Sequence, residues 1–216
     1  MKLAVFDCDG TLVDGQAAIC EAMEAAFAGL ALPAPPRNRI RRAVGLSLPQ
    51  AMRTLLPEAD EAQRTSLVEG YKDAFRAARA EGRLTQPLFE GLAEVLRTLR
   101  GSGWTLGVAT GMSSRGLDHC LAVNGVSDLF VTLQTADHHP SKPHPAMLEQ
   151  ALFEAGAQAE EAVMIGDTVY DIQMATSAHV RGIGVDWGYH HPEELRAAGA
   201  EAVMETPREL QEYLLR

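Results

Sequence analysis

Cysteine is scarce in this sequence: Cys8, Cys20 and Cys120 are the only three among 216 residues. They are odd in number and share no ligand spacing, so they argue against a disulfide framework and fit buried thiols in a reducing compartment. Long apolar runs are also missing. Mean hydropathy is near zero, and no stretch reaches the ~20 apolar residues of a bilayer-spanning helix. The run after Lys2 is broken by Asp7 and Asp9 before a signal-type apolar region can form. No secretory leader is therefore expected, and a cytoplasmic setting is. Positive charge is in deficit, with 19 Lys and Arg against 29 Asp and Glu. A net charge of −10 speaks against nucleic acid as a partner. Internal repeats and low-complexity segments are absent. What remains is 46% hydrophobic residues, ample for a core, in a length suited to one large domain or a core with a smaller insertion.

The order of elements follows from periodicity. Residues 3–6 form an apolar run of the buried parallel-strand type. Residues 16–30, 39–44, 48–56 and 61–81 then carry helical spacing with no strand pattern among them, the first ending before Pro33, Pro35 and Pro36. From residue 85 helices and strands alternate. Strands are expected at 104–109, 129–133, 162–165 and 183–185, with helices at 92–99, 113–123, 144–155, around Asp171, and at 207–215. The expected fold is α/β, a Rossmann-like parallel sheet formed by 1–14 and 85–216, with a helical cap at 15–84. Charge follows the same division: 15–84 holds 10 basic against 8 acidic residues, the remainder 9 against 21. An acidic body with a mildly basic insertion suits a metal held below and an anion covered from above.

The chemistry begins at Phe6-Asp7-Cys8-Asp9-Gly10-Thr11-Leu12-Val13-Asp14. Strand alternation puts Asp7 and Asp9 on one face and turns Cys8 to the other. Two carboxylates so close raise each other's pKa unless a cation intervenes, and a hard ion such as Mg²⁺ resolves the repulsion. Asp7, Thr110 and Asp167 each fall just past an expected strand, where ligands of parallel sheets gather. Thr110-Gly111 offers a hydroxyl and backbone N–H groups at the start of a helix, a site for an anion.

The nonapeptide resembles the first motif of the haloacid dehalogenase-like superfamily, whose phosphatases read D-x-D-G-T-L-x-D. Val108-Ala109-Thr110-Gly111, Ser141-Lys142-Pro143 and Ile165-Gly166-Asp167-Thr168-Val169-Tyr170-Asp171 match its later motifs in order. The resemblance covers essentially the whole chain and is nearest to phosphoglycolate-phosphatase-like members. It implies Asp7 as a nucleophile toward phosphorus and Asp9 as the proton donor and acceptor. It also implies Lys142 as the counter-charge, with Mg²⁺ on the Asp7 carboxylate, the Asp9 carbonyl and Asp167. Asp171, one helical turn on, would hold metal-bound water or orient Lys142. The implied activity is hydrolysis of a small phosphorylated metabolite, phosphoglycolate being one candidate. The alternatives are a β-phosphoglucomutase-like phosphomutase and a non-catalytic phosphate-binding module. Gly111 departs from the family pattern, which has Asn there. Arg41 and Arg42, before Val44-Gly45-Leu46, are expected to present one guanidinium to a substrate carboxylate. His138-His139 and His190-His191 are expected in surface loops. Trp187-Gly188-Tyr189 is expected either to pack over the sheet edge or to touch substrate. Oligomeric state is not legible.

Overall fold

Residues Leu3–Phe6 form β1, and every side chain in it is buried. In the computed structural model, which describes residues 1–216, β1 is the centre of a six-stranded parallel sheet. The other strands are β2 (Thr105–Thr110), β3 (Thr132–Thr135), β4 (Ala162–Gly166), β5 (Arg181–Val185) and β6 (Ala202–Met204). Their order is β3-β2-β1-β4-β5-β6. Leu3 pairs with Thr105 on one side and Ala162 on the other. The order reverses at β1, so the crevice past its carboxyl end is the natural ligand site of such a sheet.

Alternation along β1 splits the core in two. Ala4 and Phe6 join Leu92, Leu96, Leu117 and Leu210 on one face. Leu3 and Val5 join Met147, Leu148 and Met174 on the other. The helices that supply these residues are α5 (Leu92–Gly101), α6 (Ser114–Val123) and α10 (Pro207–Leu214) on the first face. On the second they are α7 (Ala146–Ala155) and α8 (Val169–Ser177). A sheet covered on both faces explains why β1 reads as a continuous apolar run.

Between β1 and α5 the chain contributes only helices: α1 (Gln16–Gly29), α2 (Arg37–Arg42), α3 (Leu48–Leu55) and α4 (Glu61–Ala80). They share a separate apolar cluster built on Met23, Phe27, Ile40, Met52 and Leu67. Asp60 caps α4 by accepting the Gln63 N–H at 2.8 Å.

Two expectations are corrected. The strand expected at 129–133 is β3, and it starts only at Thr132, because Ser127–Leu129 is a 3₁₀ turn. Leu129 and Phe130 fill the core from that turn. The strand's inward positions are instead Thr132 and Gln134, both bonded to Glu154 on α7. The other correction is an addition: α9 (Pro192–Ala197) and β6, of six and three residues, are too short for a periodicity. Phe27, fully buried among the inserted helices, should be the sensitive point of that cluster. Phe27→Ala is expected to lower stability by about 3–5 kcal/mol in urea unfolding.

Candidate active site

Asp7 leaves the end of β1 buried, 1% exposed. Its Oδ1 accepts a 2.7 Å bond from Lys142 Nζ, and its Oδ2 has no partner at all. Lys142, equally buried, gives a second bond of 2.6 Å to Asp171 Oδ1. Burial alone would push the ammonium's pKa down; the charges of Asp171 and Asp7 outweigh it and hold the group above its usual range. Asp171 in turn is fixed by the first turn of α8. Its Oδ2 accepts both the Thr168 N–H, at 3.1 Å, and the Thr168 hydroxyl, at 2.7 Å. This reciprocal cap satisfies the helix start and aims the other carboxylate oxygen at Lys142.

Asp167 stands between them, wholly buried. It accepts the Thr11 hydroxyl at 2.8 Å and the Tyr189 N–H at 2.9 Å. Gly10 and Gly188 both press on its carboxylate, where neither could carry a Cβ. Trp187 adds its indole N–H to the Thr11 carbonyl at 3.0 Å. The 187–189 segment therefore clamps Asp167 and the β1 turn.

Charge constrains what this group can hold. Burial, opposed by Lys142 and helped by Asp171, lifts Asp7 to about 6. Burial and the Asp7 charge lift Asp9 to about 7. Burial with Asp7 and Asp171 lifts Asp167 well above the carboxylate range. One lysine cannot neutralise these acids. Asp7, Asp167 and Asp171 bring one oxygen each within 4.8 Å of one another, and the orphaned Asp7 Oδ2 is a free hard donor. An oxygen-ligated divalent ion fits that set.

Asp9 lines the same cavity as Asp7 and is steadied by Gln86, whose amide donates to Oδ1 at 3.2 Å. Gln86 lies in the return from the inserted helices, and nothing in its local sequence marks it. Thr110 is buried on the cavity wall; it accepts the Met112 N–H at 3.2 Å, leaving its own O–H to donate. Gly111 also lines the wall. A Cβ on it would stand 2.9 Å from the Gly45 carbonyl oxygen and closer still to that of Leu46. The missing side chain thus lets the 44–47 loop rest on the strand end, where Ser47 N–H meets Ser141 Oγ at 2.8 Å.

Arg41 and Arg42 are not brought to this cavity, contrary to expectation. Arg41 donates to Gln16 at 2.9 Å. Arg42 spends both terminal nitrogens on Glu194, at 3.0 and 2.6 Å, while its carbonyl accepts from Tyr170 and His190. It fastens the inserted helices to the sheet layer. His190 likewise departs from the surface-loop expectation: it is 3% exposed, accepting from Val169 N–H and donating to Arg42.

The cavity holds about 480 Å³, with Asp7 and Asp9 lining it together with apolar residues of α1, α2 and α4. A buried carboxylate with one free oxygen, an ammonium beside it and a second carboxyl two residues on can attack an electrophile and move a proton.

A profile of the haloacid dehalogenase-like hydrolases matches residues 4–185. A probable phosphatase, IndB, of Dickeya dadantii is 37% identical over 94% of this chain and 89% of its own. A phosphoglycolate phosphatase of Vibrio vulnificus is 28% identical over 100% and 96%. Among solved structures, a hydrolase from Pseudomonas syringae superposes with a TM-score of 0.88 at 26% identity, covering 99% and 98%.

The contact at Gly111 yields a prediction that needs no assay of turnover. Gly111→Ala and Gly111→Asn should both lift the 44–47 loop, raising amide hydrogen exchange there and costing about 1–3 kcal/mol of stability. Unchanged exchange in both variants would contradict the close approach.

Proposed function

Because the chain belongs to the haloacid dehalogenase-like hydrolase family, we propose that it is a Mg²⁺-dependent phosphatase acting through an aspartyl-phosphate on Asp7. The observation that carries this reading is the state of Asp7: one oxygen held by Lys142, the other buried and unpartnered at a cavity wall. A carboxylate so placed is oriented and poorly solvated, two conditions for attack on phosphorus.

In the first step an Asp7 oxygen forms a bond to phosphorus as the ester P–O bond breaks. Asp9, lifted to about 7 by burial and by Asp7 and so able to carry a proton near neutrality, gives that proton to the departing alcohol. In the second step Asp9 takes a proton from water as that water attacks phosphorus. The P–O bond to Asp7 then breaks and releases inorganic phosphate. Lys142 keeps Asp7 ionised and meets charge on the phosphoryl oxygens, and the Thr110 hydroxyl with the N–H groups after it donates to them. Asp7, the Asp9 carbonyl and Asp167 would hold Mg²⁺, with Asp171 orienting Lys142. The ion when bound would neutralise the carboxylates and draw charge from the transferring group.

Phosphoglycolate enters as a candidate substrate through the relatives that bear its name. The guanidiniums expected to read its carboxylate lie outside the cavity. A sugar phosphomutase would need partners for sugar hydroxyls, whereas the inserted helices offer mainly aliphatic and aromatic walls.

Asp7→Asn should reduce turnover of para-nitrophenyl phosphate to background with the circular dichroism spectrum unchanged. Near-normal hydrolysis would end the nucleophile assignment. Chelation should silence the protein and Mg²⁺ restore it. Asp167→Ala should raise the Mg²⁺ needed for half-activity by at least about tenfold, as lost ligation does. Full activity in excess chelator would refute the metal's part.

A further inference from the structure

One face of α4 runs the length of the cavity. Tyr71, Phe75 and Arg79 recur at i, i+4 and i+8, the spacing of a single helical stripe, and all three line the wall. The rings of Tyr71 and Phe75 pack with centroids 4.9 Å apart. Tyr71 marks the carboxylate end: after burial, the Asp9 charge is the main influence pushing its hydroxyl up. Arg79 marks the far end, beside α6, where its charge adds to burial in pushing the His119 imidazole down. At 1.5 Å of rise per residue the stripe from Tyr71 to Arg79 spans about 12 Å.

The cations along this helix are not alike. Lys72 and Arg76 also line the cavity, but Lys72 is paired with Glu69 at 2.8 Å and Arg76 with Asp73. The Arg79 side chain has neither ion pair nor hydrogen bond, and its Nε is buried with no partner. An unpaired guanidinium on a cavity wall is a charge that a ligand anion would meet through its terminal nitrogens. Arg115, at the start of α6, also lines the cavity. Asp137, the lining carboxylate besides Asp7 and Asp9, accepts the Ser114 N–H at 2.8 Å. Ile19, Met23, Ile40, Val44 and Val68 line the cavity beside the two rings.

From this arrangement we infer the substrate class, an inference that rests on the phosphatase reading. The alcohol portion of the ester is elongated and mainly apolar or aromatic, and it ends in a carboxylate that pairs with Arg79. The planar guanidinium fork matches a carboxylate in two parallel bonds. The aromatic stripe takes the body of the molecule, and phosphate sits at Asp7. A cavity of about 480 Å³ lies within the range that encloses a drug-sized ligand.

The test uses two non-hydrolysable phosphonates of equal length, para-carboxyphenylpropyl and para-tolylpropyl phosphonate, titrated calorimetrically into the whole protein in Mg²⁺ buffer. The carboxylated compound is expected to bind at least about tenfold more tightly, in keeping with one charge-assisted pair. Arg79→Gln should erase that preference. Equal dissociation constants in the wild-type protein would overturn the assignment, as would a preference that survives Arg79→Gln. The wild-type comparison stands alone should the variant fail to fold. Turnover of the corresponding phosphates separates the two claims. Hydrolysis without discrimination sinks the cavity assignment alone, and discrimination without hydrolysis sinks the phosphatase reading instead.

Discussion

The site depends on one buried ammonium shared by two carboxylates. Lys142 lies between Asp7 and Asp171, with all three residues removed from water. Ion pairs at such depth add little net stability, but removing one partner strands a charge and is strongly unfavourable. The arrangement therefore fixes geometry. Asp7 comes from the end of β1, Asp171 from the first turn of α8, and Lys142 from the loop after β3. The ammonium ties three separated parts of the sheet's carboxyl edge to one point. The Thr168 cap extends that order: the bonds that start α8 also set the face Asp171 presents.

The inserted helices reach this edge through backbone more than through side chains. The 44–47 loop lies on Gly111, and Gly45, with φ +93, packs on Thr168. The Arg42 carbonyl receives Tyr170 and His190 while its guanidinium grips Glu194. These contacts close one side of a cavity whose floor is acidic and whose far end is basic. A phosphate at one end and a distal anion at the other would each meet the charge that suits it, across an apolar middle. The missing side chain at Gly111 is thus part of the cavity's shape as well as a lost amide donor.

Much of this was legible in the residues. The buried run of β1, the i, i+2 acids after it and the βα alternation follow from periodicity and from like-charge repulsion, both local properties. Asp167 and Asp171 share a motif one helical turn long, so their spacing carries their geometry. Other features were not legible because they depend on distant packing. Arg41 and Arg42 sit in a six-residue helix whose rotation is set by the apolar cluster around Ile40, and that rotation turns both away from the cavity. His190 reads as a polar loop residue until α8 and the Arg42 carbonyl close over it. Gln86, Thr11 and the Tyr189 N–H join the site across 77, 156 and 22 residues of chain. Arg79 looks like any helix-surface arginine; only the absence of a partner at its buried Nε sets it apart.

The central claim is that the Asp7 carboxylate bonds to phosphorus. The direct measurement is to mix the protein with para-nitrophenyl phosphate and Mg²⁺, quench within the first turnover, reduce with borohydride, and sequence the peptides by mass spectrometry. An acyl phosphate reduces to an alcohol, so homoserine should be found at position 7 and at no other aspartate. It should disappear when Mg²⁺ is withheld. Homoserine at Asp9, Asp167 or Asp171, or unmodified Asp7 during active turnover, would contradict the account.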